Sequence, residues 1–153
     1  MRVIVLAGAG EHFSAGHDLG TPEEVEDRRQ KPFGEGVLGR INRSWHLYVE
    51  ISLRWRDVKK PTIAQVQGYC IFGGFLIASC MDIIIAAAEA RSPGLVSEVV
   101  PAAELEQTVV RQAERWAEND LLTLRVLKQS INGVQDAMGY RNALHATHST
   151  YMV

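Results

Sequence analysis

Residues 61–82 read Pro-Thr-Ile-Ala-Gln-Val-Gln-Gly-Tyr-Cys-Ile-Phe-Gly-Gly-Phe-Leu-Ile-Ala-Ser-Cys-Met-Asp, and no other stretch limits the fold as tightly. Thr62 to Gln67 alternates apolar and polar residues, the pattern of a strand. A glycine turn follows, and an apolar helix starts at Gly73-Gly74. A turn of this kind aims unpaired backbone N–H groups at empty space, where they stabilise negative charge on a substrate oxygen. A second glycine turn, Phe13-Ser14-Ala15-Gly16-His17-Asp18-Leu19, follows the first strand. Together the two turns predict an oxyanion hole.

Tyr69 to Ala88 is almost wholly apolar and about as long as a membrane span. Asp82 argues against that reading, since a mid-span Asp costs roughly 2.5–3.5 kcal/mol. After it the sequence changes from Phe-Leu-Ile-Ala-Ser-Cys to β-branched Ile83-Ile84-Ile85, which reads as a buried helix followed by a buried strand. No membrane partner is expected. Sixteen Lys+Arg against eighteen Asp+Glu leave a net charge of -2, without the basic excess that nucleic-acid binding requires. Arg54, Arg56, Lys59 and Lys60 form one basic cluster that would suit either a phosphate or solvent. Cys70 and Cys80 lie in apolar sequence and read as small buried hydrophobes of a reduced compartment. A cytoplasmic location follows, and Met1 to Leu6 lacks the features of a signal peptide.

Val3 to Leu6, closed by Gly8 and Gly10, has the composition of a strand buried on both faces. Thr21-Pro22-Glu23-Glu24 places Thr at N-cap, Pro at N1 and Glu at N3, which starts a helix toward Gln30. Val37, Ile41, Tyr48, Ile51 and Trp55 recur at helical spacing and predict one long amphipathic helix over 35–58. Leu95 to Val100 is a short strand ended by Pro101, which opens a helix carrying Leu105, Val109, Ala113 and Trp116 on one face. Leu124, Leu127, Ile131 and Val134 fall on a further helical stretch, and residues 138–152 form a last helix. Ser92-Pro93 joins two predicted strands with almost no connection, as in a hairpin, although no Asn-Gly turn is present. Residues 1–100 thus read as an α/β core and 101–153 as a helical region.

In this order, several stretches resemble the crotonase superfamily, the enoyl-CoA hydratase/isomerase group. They are Arg2 to Gly10, Phe13 to Leu19, Lys60 to Gly68, Gly73-Gly74, Asp82 and Gly94 to Pro101. The resemblance implies a crotonase-like (ClpP/crotonase) α/β core of strand-strand-helix units and an acyl-CoA substrate, with coenzyme A as part of that substrate and no further cofactor. It implies that backbone N–H groups of His17 and Gly73 polarise the thioester carbonyl. Ala15, Gly16, His17, Asp18, Leu19, Gly73 and Gly74 would contact the substrate, with Asp18 holding its turn through bonds to backbone N–H groups. It also implies a homo-oligomer, a trimer or hexamer. Two departures stand out. Hydratases of the group use two glutamates; the first belongs at Leu76, and the second in a segment skipped after Arg91. The family further begins with a strand pair and a helix upstream of Met1, so the core reads as incomplete. Either an acyl-CoA enzyme with another base or a non-catalytic remnant serving as an assembly partner fits this pattern. Glu11, Glu35 and Glu50 are candidate bases.

Other site chemistries fit less well. Gly8-Ala-Gly10 lacks the third glycine of a dinucleotide fingerprint and the acidic residue that should end the next strand. His145 and His148 share a helical face, but no other His has ligand spacing, so no metal is expected. Ser14, His17 and Asp18 are too close in one turn to form a hydrolase triad.

Overall fold

The computed structural model describes residues 1–18, 20–30, 33–90 and 96–151. Four strands, β1 (Ile4–Ala7), β2 (Thr62–Val66), β3 (Ile83–Ala87) and β4 (Glu98–Val100), form one sheet in the order β1-β2-β3-β4. Every ladder is parallel, with Ile4 opposite Thr62, Ile63 opposite Ile83 and Ile85 opposite Glu98. The helices are α1 (Pro22–Gln30), α2 (Gly36–Ser44), α3 (Ile51–Asp57), α4 (Gly73–Ser79), α5 (Leu105–Ala117), α6 (Leu121–Ala137) and α7 (Tyr140–Tyr151). A π-helical turn, Trp45–Glu50, joins α2 to α3.

The two inner strands are buried on both faces, as parallel strands covered by helices must be. Ile63, Ile85, Ala87 and Val100 pack with Leu105 and Val109 of α5, while Ala64, Val66, Ile84 and Ala86 pack with Ala78 of α4. The sheet is therefore the middle of three layers. β1 departs from the expected double burial: it is the edge of the described sheet, its residues alternate in exposure, and Val5 is 40% exposed. The short connection after Arg91 left a hairpin open as one way to join these strands; it does not form, because β3 and β4 run parallel. Only residues 88–97 separate them, where a parallel crossover usually takes about a dozen or more. Residues 91–95 of that connection, including the sequence gap after Arg91 and the predicted strand start at Leu95, lie outside the described residues.

Local signals decide the helix ends. Thr21 caps α1, its Oγ1 accepting from the Glu24 N–H at 3.2 Å, while the Glu24 side chain turns instead to Arg28. Pro101 precedes a short 3-10 turn and α5, as its fixed φ favours.

α6 is anchored largely by charge. Leu124 is buried, but Leu127, Ile131 and Val134 are 52–61% exposed. Charge takes over the anchoring, through Lys128 and Arg56, both buried. Lys128 Nζ lies 2.9 Å from Asp82 Oδ2 and donates to the Lys60 carbonyl at 3.0 Å. Asp82 Oδ2 also accepts from the Thr62 N–H at 2.7 Å, so one carboxylate ties β2, the start of β3 and α6 together. On α3, Arg56 donates to the Asn132 carbonyl at 2.9 Å and pairs with Asp136 at 3.1 Å. Burial raises the Asp136 carboxyl, but Arg141 and Arg56 outweigh it and hold the carboxyl below its ordinary range. Arg54 pairs with Glu50, so two of the four basic residues considered for a phosphate are spent on internal contacts.

α7 folds back over the junction of α2 and the π turn. His145 stacks on Trp45 at 4.1 Å between centroids, and His148 meets the same ring edge-on and bonds Ser44 Oγ at 3.1 Å. His148 is thus a packing residue. Burial, and then the neighbouring His145, lower its pKa from the ordinary 6.5. The unfolded chain then binds the proton more readily than the folded one, so this contribution is complete above that value and lost as pH falls through the folded value. Amide exchange of α7 should accelerate as pH drops from about 7.5 to 5 once intrinsic rates are divided out, and His148→Gln should flatten that dependence.

Candidate functional site

The two glycine turns lie side by side. The Phe13 N–H donates to the Gln67 carbonyl at 2.8 Å, Ser14 N–H to Tyr69 at 2.9 Å, and Ile71 N–H to Ser14 at 3.1 Å. Ser14 and Cys70 form a parallel bridge, an extra rung beyond the end of β1 and β2. Gln67 adds a side-chain tie, its Nε2 donating to the Gly8 carbonyl at 2.8 Å. Burial drives the Cys70 thiol up to about 11, so it stays protonated and unreactive at neutral pH.

Gly74 makes this approach possible. A Cβ there would sit 2.2 Å from Ser14 Cβ, closer than any two carbons can pack. One residue earlier, Phe72 adopts φ 45° and ψ −109°, a left-handed conformation that costs a non-glycine residue on the order of 1–3 kcal/mol. The Gly74 N–H donates to the Ile71 carbonyl at 3.1 Å, closing a four-residue turn around Phe72-Gly73. Phe72 thereby sets the orientation of the peptide that carries the Gly73 N–H. Among the described residues neither that N–H nor the His17 N–H has an acceptor.

The structure brings His17 and Gly73 together. A Cβ on Gly73 would lie 3.4 Å from His17 Cε1 and 3.4 Å from Tyr48 Cδ1. The His17 ring packs between Tyr48, at 4.5 Å, and Phe72, at 5.6 Å. Gly16 holds its turn at φ 108°, and Ala15 is exposed. Asp18 makes no bond to backbone among the described residues; Ser14 Oγ instead accepts from the Gly16 N–H, at 3.4 Å. The reason is position, because Asp18 faces a cavity. Leu19 lies outside the described residues.

That cavity, about 730 Å³, is bounded by His17 and Asp18, by α1 and α2, and by Tyr48. Its carboxylates are Asp18, Glu23, Glu24 and Asp27, facing Arg28, Arg40 and Arg43. Arg43 pairs with Asp27 at 2.9 Å, and Glu24 with Arg28. None of the candidate bases Glu11, Glu35 and Glu50 lines it. Glu50 is instead fixed between Arg54 and His46, whose hydrogen bonds hold its carboxyl below the ordinary range. Sequence reading passed over Glu23 and Tyr48: one was absorbed into a capping signal, the other into an apolar helical stripe. The long helix in fact widens to π geometry over Trp45–Glu50, which adds a residue per turn, and Tyr48 stands in that turn against His17 and Gly73.

Among the described residues no helix is long and apolar enough to cross a membrane, and no cluster of His, Cys, Asp and Glu could hold a metal.

Comparison with known proteins agrees with this architecture. The protein named "putative enoyl-CoA hydratase EchA13" of Mycobacterium tuberculosis is 32% identical over 200 residues, covering 94% of this chain and 63% of that one. Because 94% of a 153-residue chain is about 144 residues, about 56 of the 200 aligned positions of that relative have no counterpart here. Mevalonyl-coenzyme A hydratase SIDH of Beauveria bassiana is 41% identical over 91 residues, 60% of this chain and 31% of that one. The crystal structure of a probable enoyl-CoA hydratase from Mycobacterium smegmatis superposes with a TM-score of 0.84 at 27% identity, covering 99% of this chain and 74% of that one. The family model for enoyl-CoA hydratase/isomerase matches residues 1–92 and again 85–150, two stretches that meet where β3 passes toward β4. The chain belongs to the enoyl-CoA hydratase/isomerase family, with the crotonase fold its sheet and helices display.

Proposed function

We propose that the chain binds an acyl-CoA thioester and stabilises its enolate with the backbone N–H groups of His17 and Gly73. The observation that carries this reading is the juxtaposition of the two glycine turns, with His17 against Gly73 and neither N–H engaged among the described residues. Two such donors act on charge that develops in the transition state, and each is worth roughly 2.7–4 kcal/mol in rate. Ala15, Gly16, Asp18, Leu19 and Gly74 complete the substrate contacts by resemblance. Coenzyme A enters as part of the substrate and no separate cofactor is required.

Hydration of the double bond is not part of the proposal. Leu76, whose N–H continues α4 by bonding the Phe72 carbonyl at 2.9 Å, stands where the first hydratase glutamate belongs, and an alkyl chain transfers no proton. Calorimetric titration with butyryl-CoA should give saturable binding, while crotonyl-CoA absorbance should stay constant. Absence of binding heat overturns the proposal, and crotonyl-CoA turnover at ordinary enzymatic rates overturns its second half.

A second reading, a non-catalytic assembly partner, draws support from α6. Leu127, Ile131, Val134 and the adjoining Met138 follow one another along the helix, all more than half exposed. A homo-oligomer, trimer or hexamer, would cover such a stripe, and it is compatible with either reading.

A further inference from the structure

We propose that Tyr48 is a catalytic residue: its phenol delivers the proton that quenches the enolate at the α-carbon. The inference rests on the acyl-CoA reading above and adds the acid which that reading leaves unassigned. Three independent observations converge on this side chain. Its ring edge lies beside Gly73, with Cδ1 3.4 Å and Cε1 3.6 Å from the space a Cβ there would fill, and the ring packs at a tilt on His17, 4.5 Å between centroids. It also lines, with His17 and Asp18, the cavity of about 730 Å³. Finally, among the described residues its hydroxyl bonds to nothing, yet it is not one of the buried unsatisfied atoms, so the oxygen has access to solvent. A phenol that is neither buried nor engaged, on the wall of a cavity and on a ring that touches both His17 and the space beside Gly73, is placed to donate.

The backbone under Tyr48 supports the assignment. Ser52 Oγ donates to the Tyr48 carbonyl at 2.6 Å, which engages the oxygen within the widened turn. π turns of this kind recur at functional sites.

In the step itself the electron pair of the enolate forms a C–H bond at the α-carbon while the Tyr48 O–H bond breaks, its pair staying on oxygen. Water then returns a proton to the phenolate. The reverse of this step is abstraction by the Tyr48 phenolate; forming the enolate from a resting acyl-CoA is a separate transfer in which a base takes the α-proton, and the cavity offers for it the carboxylates of Asp18 and Glu23, which have no ion pair among the described residues. No oxidant, reductant or metal enters the balance.

Exchange of the α-protons of butyryl-CoA in D2O, followed by NMR, reads this step without reference to a final product. The protein should catalyse exchange, and Tyr48→Phe should slow it by about 100-fold or more, the usual worth of a positioned acid. Affinity for butyryl-CoA should change by less than about tenfold, the worth of one neutral hydrogen bond. Phe keeps the ring against His17 and Gly73, and an unchanged melting temperature would confirm it. If Tyr48→Phe melts early, uniform fluorotyrosine incorporation gives a second measure: a rate that follows the acidity of the hydroxyl supports the assignment, and an unchanged rate overturns it. Exchange by Tyr48→Phe at the parent rate overturns the assignment, as does binding without any exchange by the parent protein. Failure of the parent to bind butyryl-CoA instead removes the acyl-CoA reading itself.

Discussion

Asp82→Ala should lower the unfolding free energy by about 3 kcal/mol, measured by urea denaturation, the low end of the range for breaking a buried ion pair. The substitution leaves the Lys128 ammonium, only 4% exposed, without its counter-charge, and removes the acceptor of the Thr62 N–H and Oγ1. Asp82 itself is 26% exposed, and the water that reaches it keeps the loss from the top of that range. Adding Lys128→Met to Asp82→Ala removes the stranded charge and should restore a substantial part of the loss. A single-variant loss under about 1 kcal/mol would show instead that α6 is docked mainly by Leu124 and the Arg56 network. The family-pattern Asp82 is therefore an architectural residue. It does its work at the end of the sheet opposite the glycine turns, where β2 and β3 begin.

Gly74→Ala should cost about 1–3 kcal/mol of stability through overpacking and reduce butyryl-CoA affinity by at least about tenfold. The new methyl would meet Ser14 Cβ at 2.2 Å and Oγ at 2.5 Å. Ser14 cannot swing clear, because its N–H and carbonyl are both bonded to the opposing turn at 2.9 and 3.1 Å. The two turns must therefore part, which carries His17 away from Gly73. Combining Gly74→Ala with Ser14→Gly deletes both clashing atoms and leaves Ser14 Cα at an ordinary 3.6 Å. The double variant should recover both stability and binding. If it does not, Gly74 matters for something other than this approach, and calorimetry on the pair of variants decides the matter.

Much of the frame was legible because single signals carried it. Thr21-Pro22 marked a helix start, Gly73-Gly74 another, and the β-branched run at Ile83 a strand, each by a local preference that packing reinforced. What escaped the sequence depended on partners far along the chain. Exposure of β1 follows from its place at the edge of the described sheet, which its composition does not reveal. Burial of Lys128 in place of Leu127 follows from Asp82, remote in sequence, and a lysine carries no local sign that its charge will be neutralised. The π turn has no sequence signature either. Without it Tyr48 reads as one more apolar position on a stripe.

The Ser14–Cys70 rung has a consequence for how the site comes into being. The contacts around it link residues 57 and 59 positions apart, as in Tyr69 to His12 and Gln67 to Gly8. Such pairings carry a large loop-closure entropy and form only once β1 and β2 have met. The two turns are therefore not a module that could assemble ahead of the sheet, nor one that could be transplanted without it. In hydrogen exchange the Ser14 and Ile71 amides should behave as members of the sheet's cooperative unit, so the site opens by subglobal unfolding and not by loop motion.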